Sequence, residues 1–149
     1  MSKIYLKIPH YHQEFESSCL AACVRMVLEY SGRNLLEKDL RKILKSKPTG
    51  TSPINIYNIS SLGFEVGLFQ SSIQEILNLL QENIPPIAFI WREPVLHAVV
   101  VAGFNYNTDL WYINDPSEIQ GAKELDMTTF AEMWSYSNQL TATLIKKAR

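Results

Sequence analysis

Two cysteines and three histidines in 149 residues leave little room for cysteine or metal frameworks. Cys19 and Cys23 stand four apart on what reads as one helix face, so they cannot form a disulfide framework. Their CxxxC spacing also departs from the CxxC of thiol redox proteins. His10 and His12 would point the same way in extended chain, but no further His or Cys at ligand spacing completes a site beside them. They read as surface or cleft-rim residues, and neither metal nor cofactor is expected. No apolar run approaches the ~18 residues that read as a membrane span, and MSKIYLKIPHYHQ has no continuous apolar core of a secretory signal. The default compartment is therefore a reducing cytoplasm, with deployment as a secreted effector compatible. A net charge of −1 without a basic patch argues against a nucleic-acid binder held by phosphate contacts. Repeats, low-complexity segments and linkers are absent as well, so residues 1–149 are expected to form a single domain around one core.

What is present is organised around Gln13 to Gly32, QEFESSCLAACVRMVLEYSG. Leu20, Cys23, Val24, Val27 and Leu28 make a continuous apolar stripe at helical spacing, and Ala21, Ala22 and Met26 fill much of the remaining circumference. Only Arg25 and Glu29 need water, and four apart they can pair. Ser17 or Ser18 can cap the start and Gly32 can end the helix in a left-handed conformation. Cys19 then sits at the first helical position, where free N–H groups and the positive end of the helix dipole favour a thiolate. Cys23, one turn deeper in the stripe, reads as inert.

The rest of the chain places helices first and strands later. Residues 3–9 read as a short strand or extended arm. Residues 35–45 read as an amphipathic helix with Leu36, Leu40, Ile43 and Leu44 inward, and its Lys and Arg residues as a solvated face. A helix over 53–62 starts at Ser52-Pro53 and stops at Gly63, followed by a strand at 64–69. A helix beginning at Ser71 or Ser72 turns Ile73, Ile76, Leu77 and Leu80 inward. Then come strands at 85–91, 96–104 and 110–115 joined by short turns, a short strand near 123–125, a helix at 128–136 capped by Thr128, and a strand at 139–147. The fold class is α+β.

His97 is the one histidine inside a strand, and Asp115 ends the next strand. Antiparallel pairing about a hairpin near 103–109 returns Asp115 beside His97. With Cys19 brought to them by its helix, the three make a nucleophile, a base and an orienting carboxylate. The bland alternative is a partly buried histidine satisfied by a carboxylate.

These residues resemble the papain-like cysteine peptidases of the C39-like, bacteriocin-processing type. Gln13 stands six before Cys19. CLAACVRMVLEYSG is a small, apolar helix ending in an aromatic and Gly, HAVVVAGFN a Val-rich strand opening with His, and WYINDP a strand ending in Asp-Pro. The resemblance implies the papain-like cysteine peptidase fold, a Cys-bearing helix packed on a C-terminal antiparallel sheet, in a bacterial hydrolase acting on a peptide or protein substrate. It implies Cys19 as nucleophile, His97 as its imidazolium partner and general acid, Asp115 as the group orienting His97, and Gln13 with the Cys19 N–H as oxyanion hole. One departure stands out. The family's usual Asp-Cys-Gly is Ser18-Cys19-Leu20 here, and Leu beside the nucleophile narrows the approach of a substrate backbone. The alternative is a C39-like module, catalytically weak or inactive, that binds a peptide tail or partner protein. Oligomeric state is not legible.

Overall fold

The computed structural model describes residues 2–148. Its central helix, α1 (Cys19–Tyr30), is buried at every position from Leu20 to Leu28 except Arg25. Arg25 and Glu29 are joined through Tyr11: the guanidinium lies 3.7 Å from the centre of the Tyr11 ring, and the Tyr11 hydroxyl donates to Glu29 at 2.6 Å. At the C-terminus Gly32 takes φ +94°, and the N–H groups of Gly32 and Arg33 bond the carbonyls of Glu29 and Leu28, a Schellman motif. The N-terminus is different. Ser18 occupies the cap position, but its hydroxyl bonds Phe15 N–H and C=O, so no side chain caps the first turn.

Helix α2 (Glu37–Ile43) packs on α1. Leu40 and Leu44 are buried as expected, whereas Leu36, just outside the helix, is exposed. Glu37 is buried instead, because Arg41 and the Glu14 N–H satisfy its carboxylate. Residues Pro53–Leu62 form a 3₁₀ helix rather than an α-helix. In a three-residue repeat Ile56, Ile59 and Leu62 fall on one line, and Asn55 and Asn58 donate to the carbonyls of Leu44 and Ile43. Helix α3 (Ile73–Gln81) is capped by Ser72, which accepts from Glu75 N–H. Helix α4 (Met127–Ser135) is capped by Asp126, not Thr128: the Asp126 carboxylate accepts from both N–H and hydroxyl of Thr129.

Among the described residues seven strands form one antiparallel sheet: β1 (Lys3–Tyr5), β2 (Phe64–Gln70), β3 (Ile87–Arg92), β4 (Val95–Asn105), β5 (Leu110–Asn114), β6 (Lys123–Asp126) and β7 (Leu140–Lys146). The order is β2-β7-β3-β4-β5-β6, with β1 continuing the β3 side of β4. α1 packs on β4, and α4 packs chiefly on β3. Phe104, Trp111, Phe130 and Trp134 form a run of mutually tilted rings 4.5 to 5.3 Å apart that ties α4 to the sheet. This is the α+β arrangement that the pattern of helices and strands predicts.

β4 is the strand that positions the site. β3 covers its Val95–Val100 half, and β5 covers the far edge only from Val100 onward. Before Val100 that far edge is open. Val101 N–H points to the β3 side, bonding Pro86 O. By strand alternation the Ala98 N–H points to the open edge, where the N-terminus of α1 sits.

Candidate active site

Cys19 meets the open edge of β4 with its sulfur. The Ala98 N–H that β5 would otherwise engage, the Leu20 N–H of the uncapped first helical turn and the His97 ring all act on Sγ in favour of the thiolate. Burial alone would raise the thiol pKa. Hydrogen bonds from His97 and Ala98, the His97 charge and the Leu20 N–H outweigh it and hold the thiol below its ordinary value. Cys23, fully buried one turn along, has no such donors, and burial pushes its thiol well up.

His97 donates Nε2–H to Asp115 Oδ1 at 2.6 Å, which leaves Nδ1 for the thiol. Burial disfavours the imidazolium, but hydrogen bonds to Asp115 and Cys19 and their charges prevail, and the pKa is pushed up from 6.5 to about 9. Asp115 is buried too, which favours its neutral form. The His97 hydrogen bond and charge, then Ser117, reverse this and hold the carboxyl well below the usual carboxylate range. Ser117 donates to Oδ1 through its N–H at 2.9 Å and its hydroxyl at 2.7 Å. The local cause is legible. Asp115-Pro116-Ser117-Glu118 is a turn with Pro at its second position, closed by Glu118 N–H to Asp115 O at 2.9 Å, and an Asp opening such a turn bonds the N–H two residues on.

That Asp115 and His97 share a face depends on a bulge. Leu110 pairs with Asn105, but between Val101 and Gly103 the register shifts by one residue, so that Asn114 pairs with Val100. Continued one step, this register sets Asp115 opposite Val99, two residues from His97 and so on the same face. Without the extra residue Asp115 would lie opposite Val100, three from His97, and the two side chains would point apart. β1 fixes the bulge from the other side: Leu6 N–H donates to Ala102 O, and a Cβ on Gly103 would strike the Ile4 carbonyl.

Gln13 lies at the start of the loop leading into α1 and is buried. Its N–H bonds Pro116 O, tying this loop to the Asp115 turn. Its side-chain Nε2 donates to the carbonyls of Phe15 (2.7 Å) and Glu16 (2.8 Å), and Oε1 is buried without a partner among the described residues. A cleft of about 690 Å³ opens beside Cys19 and His97, walled by Leu20, Phe89, the Pro94–Leu96 hairpin and the 47–53 loop. His10 donates Nε2–H to Glu118 O at 2.7 Å, and no group of three or more metal-ligating side chains occurs among the described residues.

The chain matches the Peptidase C39 family over residues 7–146. It belongs to that family. C39 proteins are cysteine peptidases, so the enzyme class is set as well. Among curated proteins nothing matches the chain. Solved structures share the fold. The peptidase domain of Streptococcus ComA, described as a bifunctional ABC transporter involved in quorum sensing, superposes with a TM-score of 0.79 at 20% identity, covering 93% of this chain and 98% of that one. A putative C39-like peptidase from Bacillus anthracis gives 0.80 at 14% identity over the full length of both. A double glycine motif protease from an AMS/PCAT transporter, in complex with the leader peptide, gives 0.78 at 20% identity and 99% of each chain. Among the described residues of this C39 peptidase no helix is long and apolar enough to cross a membrane.

Of the four site residues expected from sequence, the C39 fold brings Cys19, His97 and Asp115 together, and Gln13 lies nearby with its amide engaged elsewhere. Sequence reasoning missed three contributors. Ser117 was signalled by the Asp-Pro-Ser turn. The Ala98 N–H follows from strand geometry, not residue type. Arg92, which bonds Asp115 Oδ2, carries no sequence signal.

Proposed function

We propose that this C39 peptidase cleaves a peptide or isopeptide bond through a thioester on Cys19, with His97 and Asp115 completing a triad. The observation that supports this reading is the line from the sulfur through His97 to a carboxylate that accepts only hydrogen bonds. The thiolate attacks the substrate carbonyl carbon. As the tetrahedral intermediate collapses, His97 Nδ1 gives its proton to the departing amine and the thioester remains. Neutral His97 then takes a proton from water, which attacks the thioester and frees Cys19. Asp115 holds the ring and stabilises the imidazolium. The Cys19 N–H and Gln13 Nε2 are the donors for the oxyanion, and Gln13 must exchange the Phe15 or Glu16 carbonyl for it.

A solved C39 relative is a double glycine motif protease in complex with a leader peptide, so a leader-type peptide is the first substrate to test. A second reading, a module that holds a peptide without cutting it, is favoured by the engaged Gln13 amide and by Leu20, which lines the cleft next to Cys19. Mass spectrometry of a peptide library incubated with wild-type protein and Cys19→Ala separates the two. Cleavage by the wild type alone is expected. Retention of peptides by both without any product sinks the hydrolase.

A further inference from the structure

The two oxygens of Asp115 are held unequally. Oδ1 accepts from His97 Nε2, Ser117 N–H and the Ser117 hydroxyl. Among the described residues Oδ2 accepts from Arg92 alone. Arg92 ends β3 and its guanidinium also donates to Ser117 Oγ at 3.2 Å. The groups bonded to the carboxylate are thus His97 from β4, Arg92 from β3 and Ser117 from the turn, and its charge also reaches the Cys23 thiol on α1, which it helps hold protonated. We infer that Arg92 is a positioning residue: by taking Oδ2 and the Ser117 hydroxyl together it locks the carboxylate plane, so that Oδ1 stays aimed at His97.

Geometry outweighs charge here. The Arg92 side chain is 43% exposed, so water and salt weaken its through-space repulsion of the imidazolium. Its hydrogen bond to a buried oxygen keeps its direction. With Arg92 gone, Oδ2 loses its oriented donor and opens to water, which does not fix the carboxylate plane, so the carboxylate is free to rotate away from His97. The two effects have opposite signs. Loss of positioning lowers the His97 pKa, whereas simple loss of a nearby positive charge raises it.

The inference rests on the proposed triad, so its test reads His97 directly as well as activity. Imidazole NMR titration and the pH dependence of iodoacetamide labelling at Cys19 are measured for wild type, Arg92→Ala, Arg92→Lys and Ser117→Ala. In Arg92→Ala the His97 pKa and the alkaline limb of labelling fall by about one unit, a tenfold loss in imidazolium stability. kcat on any cleaved peptide falls about tenfold at unchanged KM. Arg92→Lys recovers most of this, and Ser117→Ala shifts the same way by less. A His97 pKa that stays or rises in Arg92→Ala, with the wild type showing an activated thiol, overturns the inference alone. An ordinary thiol pKa in the wild type overturns the triad itself.

Discussion

Replacing Asp115 by Asn keeps the side chain's shape and removes its charge. All four hydrogen-bond partners of the carboxylate are donors: His97 Nε2, Ser117 N–H, Ser117 hydroxyl and Arg92. An amide offers one acceptor oxygen and one donor nitrogen, so either Arg92 or the His97–Ser117 group meets a donor head-on. The imidazolium loses its counter-charge in a buried setting, and burial then acts on it with less opposition. The His97 pKa should fall from about 9 to its ordinary 6.5 or lower. At pH 8 the protonated fraction drops from about nine-tenths to about 3%, roughly 30-fold, and the 2.5-unit change corresponds to about 3 kcal/mol of imidazolium stabilisation. Iodoacetamide labelling of Cys19 against pH is the assay. The wild type should rise as Cys19 ionises, below an ordinary thiol, and change again as His97 loses its proton near pH 9. In Asp115→Asn the upper transition should move down by at least two units. An upper transition still near 9 would show that another group holds the imidazolium, and the role given to Asp115 would fall.

The same shifts dictate stability against pH. A raised His97 pKa stabilises the fold fully below pH 6.5, and that contribution is lost as pH rises through about 9. A lowered Asp115 pKa contributes above the ordinary carboxyl range and is lost in acid. Cys19, also lowered, opposes His97 by adding stability as pH rises toward the ordinary thiol value. Urea unfolding of Cys19→Ala should therefore lose stability more steeply between pH 6.5 and 9 than the wild type, and Asp115→Asn less steeply. An identical slope in all three contradicts the linkage.

Gln13→Ala should lower kcat about 10²-fold or more at little changed KM if the Gln13 amide reaches the oxyanion, and steady-state kinetics on a cleaved peptide decides it. Under native conditions iodoacetamide should modify Cys19 alone, with Cys23 reacting only after denaturant, as intact-mass measurement would reveal. Gly103→Val should cost about 1–3 kcal/mol in urea unfolding, since its Cβ meets the Ile4 carbonyl and Tyr5 Cα. Activity should fall further than stability explains, because the β4 bulge that aligns His97 with Asp115 is held there.

Much of this was legible because local rules and burial agreed. The apolar circumference of α1, the Gly32 and Gly63 stops and the buried runs of β3 and β4 each follow from side-chain type. Where burial was set by partners, the pattern misled. Leu36 read as core, yet Glu37 took the buried place because Arg41 and the Glu14 N–H could satisfy it. Thr128 read as the α4 cap, yet Asp126 is the stronger N-cap and starts the helix earlier, at Met127. Arg25 and Glu29 stood at pairing distance, but Tyr11, far off in sequence, came between them.

The site itself turned on a feature that spacing hides. Symmetric placement of 97 and 115 about a hairpin predicts neighbours, but being neighbours on a strand pair is not sharing a face. The actual loop is shorter, since Asn105 pairs with Leu110. In that register alone His97 and Asp115 would lie on opposite faces. One unpaired residue near Ala102 restores the parity. The mark in the sequence was Gly103, an isolated glycine inside a Val-rich strand, where a bulge or close backbone approach is the physical reason to dispense with a side chain. Both occur here: the register shifts beside Gly103, and β1 packs its backbone against it. The N-terminal arm thus does two things at once. It fixes the bulge that turns His97 toward Asp115, and it carries Gln13 back to the Asp115 turn through Gln13 N–H and Pro116 O, so the His97–Asp115 alignment and the placement of Gln13 are set by the same few residues of extended chain.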